Sequence, residues 1–305
     1  MPFQYQAFGL PILSAIELPD LAGFSANIRS NPINIELGKV PVSLIESPTE
    51  IKPLSTFNEH EFLFMLPDIA KYYVSNGNKI IVEPLTDNWD DIRLHLYANC
   101  LAVALFQRDI LPFHVSGVFT APNKVILFAA PSRTGKSTMA VLLQQKGYVP
   151  FTDDTAVLSV TDGKCYAQAS YPMARLWQDT FEKQTQFAET DKQALCFDAN
   201  KFGFSFHDNF TSEQAEVVAI VFLEIDGSEI NTVPINQTKG LQKLVNNVYR
   251  LQWVSGMKKQ VLQFKHLTEI VKSVPTYAAN RPKDIDTHQS FVDAIETQII
   301  KKFGN

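Results

Sequence analysis

The period at which apolar residues return divides this chain. Up to about residue 85 they alternate with polar ones in short runs: Phe3-Gln-Tyr-Gln-Ala-Phe8, Phe24-Ser-Ala-Asn-Ile28 and Asn34-Ile-Glu-Leu37. Pro2, Pro11, Pro19, Pro32, Pro41, Pro48 and Pro53 punctuate them. A period of two broken by proline predicts a small β-rich unit with long connections. Its best-marked piece is a hairpin of residues 69–74 and 79–82, joined through Ser75-Asn-Gly-Asn78. Asn-Gly supplies the positive φ that a type I′ turn demands. At Trp89 the period lengthens. Ile92, Leu96, Cys100, Val103, Leu105 and Phe106 predict a helix to about Gln107, capped by Asp87 or Asn88, with Asp90 and Asp91 on its positive end.

Beyond it, residues 111–119 read as a strand and Ala121-Pro-Asn-Lys124 as a turn. The apolar run 125–129 is a buried strand, and an amphipathic segment from Lys136 ends near Gly147. Tyr148-Val-Pro-Phe151 leads to Thr152-Asp153-Asp154. A second hairpin, 155–160 and 165–169, turns at Asp162-Gly163. Residues 175–185 read as helical. Residues 217–225 form the most apolar strand, with 230–235 as its expected partner. Amphipathic helices are expected at 240–253, 259–274 and 289–303. The fold class is α/β (α+β mixed), divided into a β-rich unit, 1–88, and a larger domain, 89–305.

Composition narrows the class. The chain has 305 residues, 45% apolar and 19% charged, enough for a sizeable core and unlike a disordered chain. A net charge of −5 without a basic patch argues against nucleic acid. No window reaches 18 uncharged apolar residues, so no membrane partner is expected. Cys100, Cys165 and Cys196 are odd in number and widely spaced, which gives neither a disulfide framework nor a metal motif. With no signal peptide read at the start, a cytoplasmic location is the expectation.

The chemistry centres on Ala130-Pro-Ser-Arg-Thr-Gly-Lys-Ser137, between the strand 125–129 and its helix. Strand, loop and helix in that order are the context of a Walker A phosphate loop. Pro131, Ser132, Arg133, Thr134, Gly135, Lys136, Ser137 and Thr138 are the candidate ATP-binding residues. Loop and helix N–H groups make an anion nest, Lys136 reaches the terminal phosphates, and the Ser137 hydroxyl takes one place on Mg²⁺. Ala130 stands where the pattern has glycine, and Arg133 where a small residue is common. Ala costs little there if φ is negative and about 1 kcal/mol if it is positive.

Phosphoryl transfer also needs a metal holder and a base. Asp153 and Asp154 follow Ser137 by one helix and a returning strand, which brings them beside the loop. On a strand they point to opposite sides, one to the metal and the other to the acceptor hydroxyl. His114 lies one strand before the loop-bearing strand and reaches the phosphates if the two strands form a hairpin. Arg175 and Arg250 are candidate phosphate or substrate clamps, with surface ion pairing as the plainer alternative. His207-Asp208 is read as an ordinary loop pair.

The order His114, strand, Ala130–Ser137, Asp153-Asp154 resembles the HPr serine kinase/phosphorylase catalytic domain. More closely it is similar to bacterial HPr-kinase-like proteins with a Leu-His-Ala-Ser strand before the loop, here Phe113-His114-Val115-Ser116. Tyr5-Gln-Ala-Phe-Gly-Leu-Pro-Ile, Gln107-Arg-Asp-Ile-Leu-Pro, Val274-Pro-Thr-Tyr277 and Arg281-Pro282 fit the same group. Some members sit with lasso-peptide biosynthesis and phosphorylate a serine of the precursor peptide.

The resemblance implies a phosphoenolpyruvate-carboxykinase-type P-loop kinase core. It makes Asp153 the general base, Ser137 and Asp154 the Mg²⁺ residues, and His114 a group near the phosphate or acceptor, with Lys136 completing the catalytic set. The implied activity is ATP- and Mg²⁺-dependent phosphorylation of a serine on a peptide or small protein, with a homo-oligomer possible. Thr138 stands where the HPr kinases carry an acid, which sets a second metal and the phosphorylase half-reaction apart from this chain. A small-metabolite kinase and a non-catalytic nucleotide-binding regulator are the alternatives.

Overall fold

A computed structural model describes residues 2–23, 31–131, 134–171, 173–177, 193–194, 201–205, 210–226, 228–283 and 285–304. Among these residues two nine-stranded sheets dominate, mixed with a few helices. The first sheet holds β1 (Phe3–Ala7), β2 (Leu10–Ser14), β3 (Ala22–Gly23), β4 (Ile33–Leu37), β5 (Glu50–Lys52), β6 (Ser55–Phe57), β7 (Glu61–Leu66), β8 (Ala70–Ser75) and β9 (Lys79–Pro84). Their spatial order is β3-β1-β2-β4-β9-β8-β7-β6-β5. Of the run Asn34-Ile-Glu-Leu37, Ile35 is buried, as is Ile33 just before it, whereas Leu37 at the strand's end is exposed. Asn76 and Gly77 take φ of 51° and 65°, and the Asn78 N–H donates to Ser75 O at 3.2 Å. That is the type I′ turn. The run 24–28 lies outside the described residues.

Asn88 caps α1 (Trp89–His95), its side chain accepting from the N–H groups of Asp90 and Asp91 at 3.2 and 3.4 Å. The helix passes through one π turn, Leu96–Cys100, into α2 (Leu101–Gln107). Ile92, Leu96, Cys100, Val103 and Phe106 are all buried, as their spacing predicts. The Tyr72 hydroxyl of β8 donates to Ile92 O at 2.9 Å, and one apolar core runs without a break from Tyr72 through Phe106 and Phe113 to Leu244.

The second sheet contains β10 (Pro112–Phe113), β11 (Val115–Ala121), β12 (Lys124–Ala129), β13 (Pro150–Thr152), β14 (Ala156–Thr161), β15 (Lys164–Ala169), β19 (Ala215–Glu224), β20 (Asn231–Ile235) and β21 (Thr276–Asn280). Between β15 and β19 the chain forms a small separate sheet of β16 (Met173–Trp177), β17 (Gln193–Ala194) and β18 (Lys201–Ser205). The main order is β10-β14-β15-β19-β12-β11-β13. β12 and β19 pair in parallel and are buried along most of their length, which accounts for their unbroken apolar runs. β19 shares its other edge between β15, at Ala215 and Glu216, and β21, from Ile220 to Glu224. The helices are α3 (Lys136–Gln145), α4 (Gln237–Val245), α5 (Gln260–Ser273) and α6 (His288–Gln298), with 3-10 turns at Leu251–Trp253 and Ile300–Lys302. Met139 and Leu143 of α3 pack on Phe291, Val292 and Ile295 of α6.

The main sheet rolls up. β10 and β13 are its two ends, yet β10 is separated from β11 by His114 alone, and β13 from β14 by three residues. Two such short links bring the ends face to face, so His114 and Asp153-Asp154-Thr155 both cross the same seam.

Several expectations need correction. Residues 175–177 belong to β16, paired with β18 in the register Arg175↔Gly203, because long-range pairing overrides local propensity; residues 178–185 lie outside the described set. β20 pairs with β21, not β19; the short, alanine-containing β21 gave little strand signal. The helix expected over 240–253 spans Gln237–Val245 instead, and Arg250, at φ 57°, cannot continue it. The strand expected over 111–119 breaks at His114, whose N–H donates to Asn247 O at 2.7 Å.

Gly117 of β11 marks where backbones crowd. A Cβ there would lie 2.7 Å from Leu127 Cδ2 and 2.8 Å from Ile126 O of the neighbouring strand. Gly117→Ala is expected to destabilise the protein by about 1–3 kcal/mol, the usual range for overpacking. A chemical-denaturation midpoint unchanged from wild type would show that the strands give way freely.

Candidate functional site

β11 is the ruler of the site. It pairs antiparallel with β12, Val115 opposite Ala129, and with β13, Gly117 opposite Thr152. β12 and β13 therefore end at the same edge of the sheet, on either side of the residue that starts β11. Three sequence-predicted features are brought together there: the loop after Ala129, the Asp153-Asp154 pair after Thr152, and His114. The hairpin of β11 and β12 places His114 across from the loop, as its position in the sequence required.

The loop closes on itself. The Thr134 N–H reaches Pro131 O at 3.4 Å, and Gly135 caps α3 in the left-handed region, φ 105° and ψ 22°. Among the described residues a Cβ on Gly135 would meet nothing within 4 Å. The first helical bond runs from the Met139 N–H to Gly135 O at 2.8 Å. Earlier N–H groups of the helix point out of its end, as at every helix start. Ala130 is buried and is absent from the residues of positive φ, so alanine serves in place of glycine without strain. Ser132 and Arg133 lie outside the described residues.

Lys136 is buried, 6% exposed, and its ammonium donates to Ala130 O at 2.6 Å and Pro131 O at 3.3 Å. A buried ammonium needs such acceptors, because desolvation without them costs several kcal/mol. Ser116, fully buried on β11, donates its hydroxyl to Lys136 O at 3.1 Å. That bond ties the strand to the first turn of the helix.

Asp153 and Asp154 do not alternate along a strand. Asp154 takes φ 84°, so the pair forms a turn, braced by the Thr152 hydroxyl donating to Thr155 O at 2.7 Å. Aspartate is among the few non-glycine residues that adopt this backbone readily. Neither carboxylate is a solvated surface group: Asp153 is 5% exposed and the Asp154 side chain 12%. His114 Nδ1 lies 2.8 Å from Asp154 O and 3.6 Å from Asp154 Oδ1. A carbonyl only accepts, so Nδ1 carries a proton.

The segment 246–250, expected as helix and singled out only at Arg250, completes the wall. The Tyr249 N–H donates to Pro112 O at 2.8 Å, Phe113 bridges to Val248, and the Tyr249 ring lies 6.1 Å from that of His114. Nothing in the spacing of 246–250 announced this, since its bonds are made through the backbone. Arg175 lies on β16, and His207-Asp208 is outside the described residues.

Among the described residues no group of three or more His, Cys, Asp or Glu side chains is placed to hold a metal ion. A magnesium ion that arrives with a nucleotide takes most of its ligands from phosphates and water and one or two from the protein. At this edge Ser137, at the start of α3, and Asp154, in the turn after β13, are the residues that could meet that smaller demand, and the outward N–H groups of α3 with Lys136 could face a phosphate chain.

No protein-family model matches the chain, and no curated protein does. Among solved structures it is similar to the Hpr(Ser) kinase/phosphatase from Coxiella burnetii, with 10% identity and a TM-score of 0.31, over 63% of this chain and 97% of that one. A likeness of that size carries no argument about chemistry, which rests on this chain's own residues. Among the described residues no helix is long and apolar enough to cross a membrane.

The negative φ of Ala130 makes a specific forecast. Ala130→Gly should lower stability by about 0.4–1 kcal/mol, by loosening the unfolded chain, and leave ATP affinity within about twofold of wild type. Thermal melting and calorimetric titration read the two effects; a marked gain in affinity would mean that the loop wants glycine after all.

Proposed function

We propose that this protein is an ATP- and Mg²⁺-dependent kinase that transfers the γ-phosphoryl group to a serine hydroxyl of a peptide or small protein. The observation that supports it most is the meeting, at one edge of one sheet, of a lysine-bearing strand–loop–helix with two shielded carboxylates. The loop gives a place for the phosphates, Lys136 a charge for the terminal ones, and Asp153 a base. In the step itself the serine oxygen forms a bond to the γ-phosphorus as the bond to the β-phosphate oxygen breaks. Asp153 takes the serine proton, and ADP leaves. Ser137 and Asp154 would hold Mg²⁺, which when bound offsets charge on the phosphates. Lys136 would exchange its loop carbonyls for phosphate oxygens. His114, fixed through Nδ1 to Asp154 O, would stand beside the acceptor. With Thr138 where the HPr kinases have an acid, one negative charge for a second cation is missing, and the reaction runs in the kinase direction alone.

Two experiments test this reading. Lys136→Ala should weaken ATP binding on the order of 10- to 100-fold, the value of a charge-assisted contact; unchanged affinity in a calorimetric titration would remove the phosphate-loop assignment. Asp153→Asn should keep Mg·ATP binding and lose about 10²–10⁴ in rate. Asp154→Asn keeps the left-handed turn and should instead shift the Mg²⁺ dependence. Equal, small effects of the two aspartate changes on phosphate transfer to serine peptides would leave the site without its base.

A further inference from the structure

Arg250 does not behave as a surface ion-pair residue. Its backbone sits in the left-handed region, φ 57° and ψ 42°, where a long side chain is strained and where strain gathers at binding sites. Its guanidinium carbon lies 5.1 Å from the centre of the Tyr249 ring and 5.5 Å from that of Trp253. Its Nε is buried with no hydrogen-bond partner, and among the described residues no carboxylate pairs with it. A delocalised cation laid on two aromatic faces is fixed in orientation while its fork keeps unused donors.

The segment that carries it is held from both sides. Toward the site, Asn247, Val248 and Tyr249 are bonded to β10 and His114. Toward the first sheet, Gly256 O accepts from the Thr49 hydroxyl, Lys52 Nζ reaches Gln252 O at 3.3 Å, and Trp253 lies 5.1 Å from Phe62. Beside it His95 stays neutral: burial first, then the Arg250 charge, holds its pKa down at about 4. The two ring distances limit the guanidinium to within about 11 Å of the His114 ring, the span of about three extended residues.

We infer that Arg250 is a specificity residue that receives a carboxylate of the acceptor peptide two or three positions from the serine that is phosphorylated. The inference rests on the kinase reading for the nature of the acceptor. A positive group with unused donors, set within about 11 Å of His114 on the proposed acceptor side, calls for an anion of the acceptor. A planar fork matches a carboxylate with two parallel hydrogen bonds.

The test uses the full chain and two fluorescein-labelled pools of serine-centred heptapeptides, one with Asp at the second and third positions on both sides of the serine, the other with Asn there. Fluorescence anisotropy reads binding, and mass spectrometry reads phosphate gained from Mg·ATP. Wild type should prefer the Asp pool at least tenfold. Arg250→Gln should bring the preference below about twofold with ATP affinity unchanged, and Arg250→Lys should restore part of it. A purely structural Arg250 would lower the melting temperature and leave the preference intact. Equal binding of the pools by wild type, including none of either, or a preference that survives Arg250→Gln, overturns the inference. A wild-type preference lost in Arg250→Gln without any ATP binding would sink the kinase reading and leave the carboxylate site standing.

Discussion

The contact between the His114 ring and the turn at Asp154 holds the site in register. The main sheet has two ends, and the chain crosses between them twice, once at His114 and once at residues 153–155. Neither crossing is long enough to adjust by itself. With Nδ1 bonded to Asp154 O at 2.8 Å, each link fixes the other, and the carboxylates take their place relative to the loop as a result. The same bond puts a proton on Nδ1, so the closure of the sheet and the orientation of the imidazole are one constraint.

Around that bond the polar groups are shielded in unusual number. Ser116, Thr152, Asp153 and Thr155 are buried at or within two residues of the seam, and Lys136 is buried at the start of α3. Each has its own reason to be satisfied, and the bonds from Ser116 to Lys136 O and from Thr152 to Thr155 O supply two of them. A carboxylate and an ammonium held in a low-dielectric setting act on a passing phosphate more strongly than surface charges do. The two described cysteines, Cys100 and Cys165, are buried, and burial pushes the Cys165 thiol up to about 12.

Much of this was legible in the residues, for physical reasons that can be named. Asn76-Gly77 and Asp162-Gly163 specify their turns locally, and both pairs have positive φ. The loop could be read because a strand, a short link and a helix each leave a pattern. Nearness of His114 and the aspartates followed from counting strands. What could not be read was set by distant partners. Asp154 left the strand because the chain must turn across the seam, and Arg250 left the helix because residues 247–249 pair with β10. The role of Ser116 was hidden likewise: a hydroxyl in a strand does not say which carbonyl it will find.

The split edge of β19 bears on the order in which such a molecule is assembled. β12 must wait for β19, some ninety residues later, and β19 for β21, which follows after two helical segments. Hairpins such as β8–β9, β11–β12 and β14–β15 close within a few residues, and their loop entropy is small. The parallel pairs are topologically distant and slow to meet. The loop after β12 lies inside an early, local piece of chain, but the strand that backs it arrives late. Until β19 has been made, β12 has its hairpin partner and an open edge on its other side.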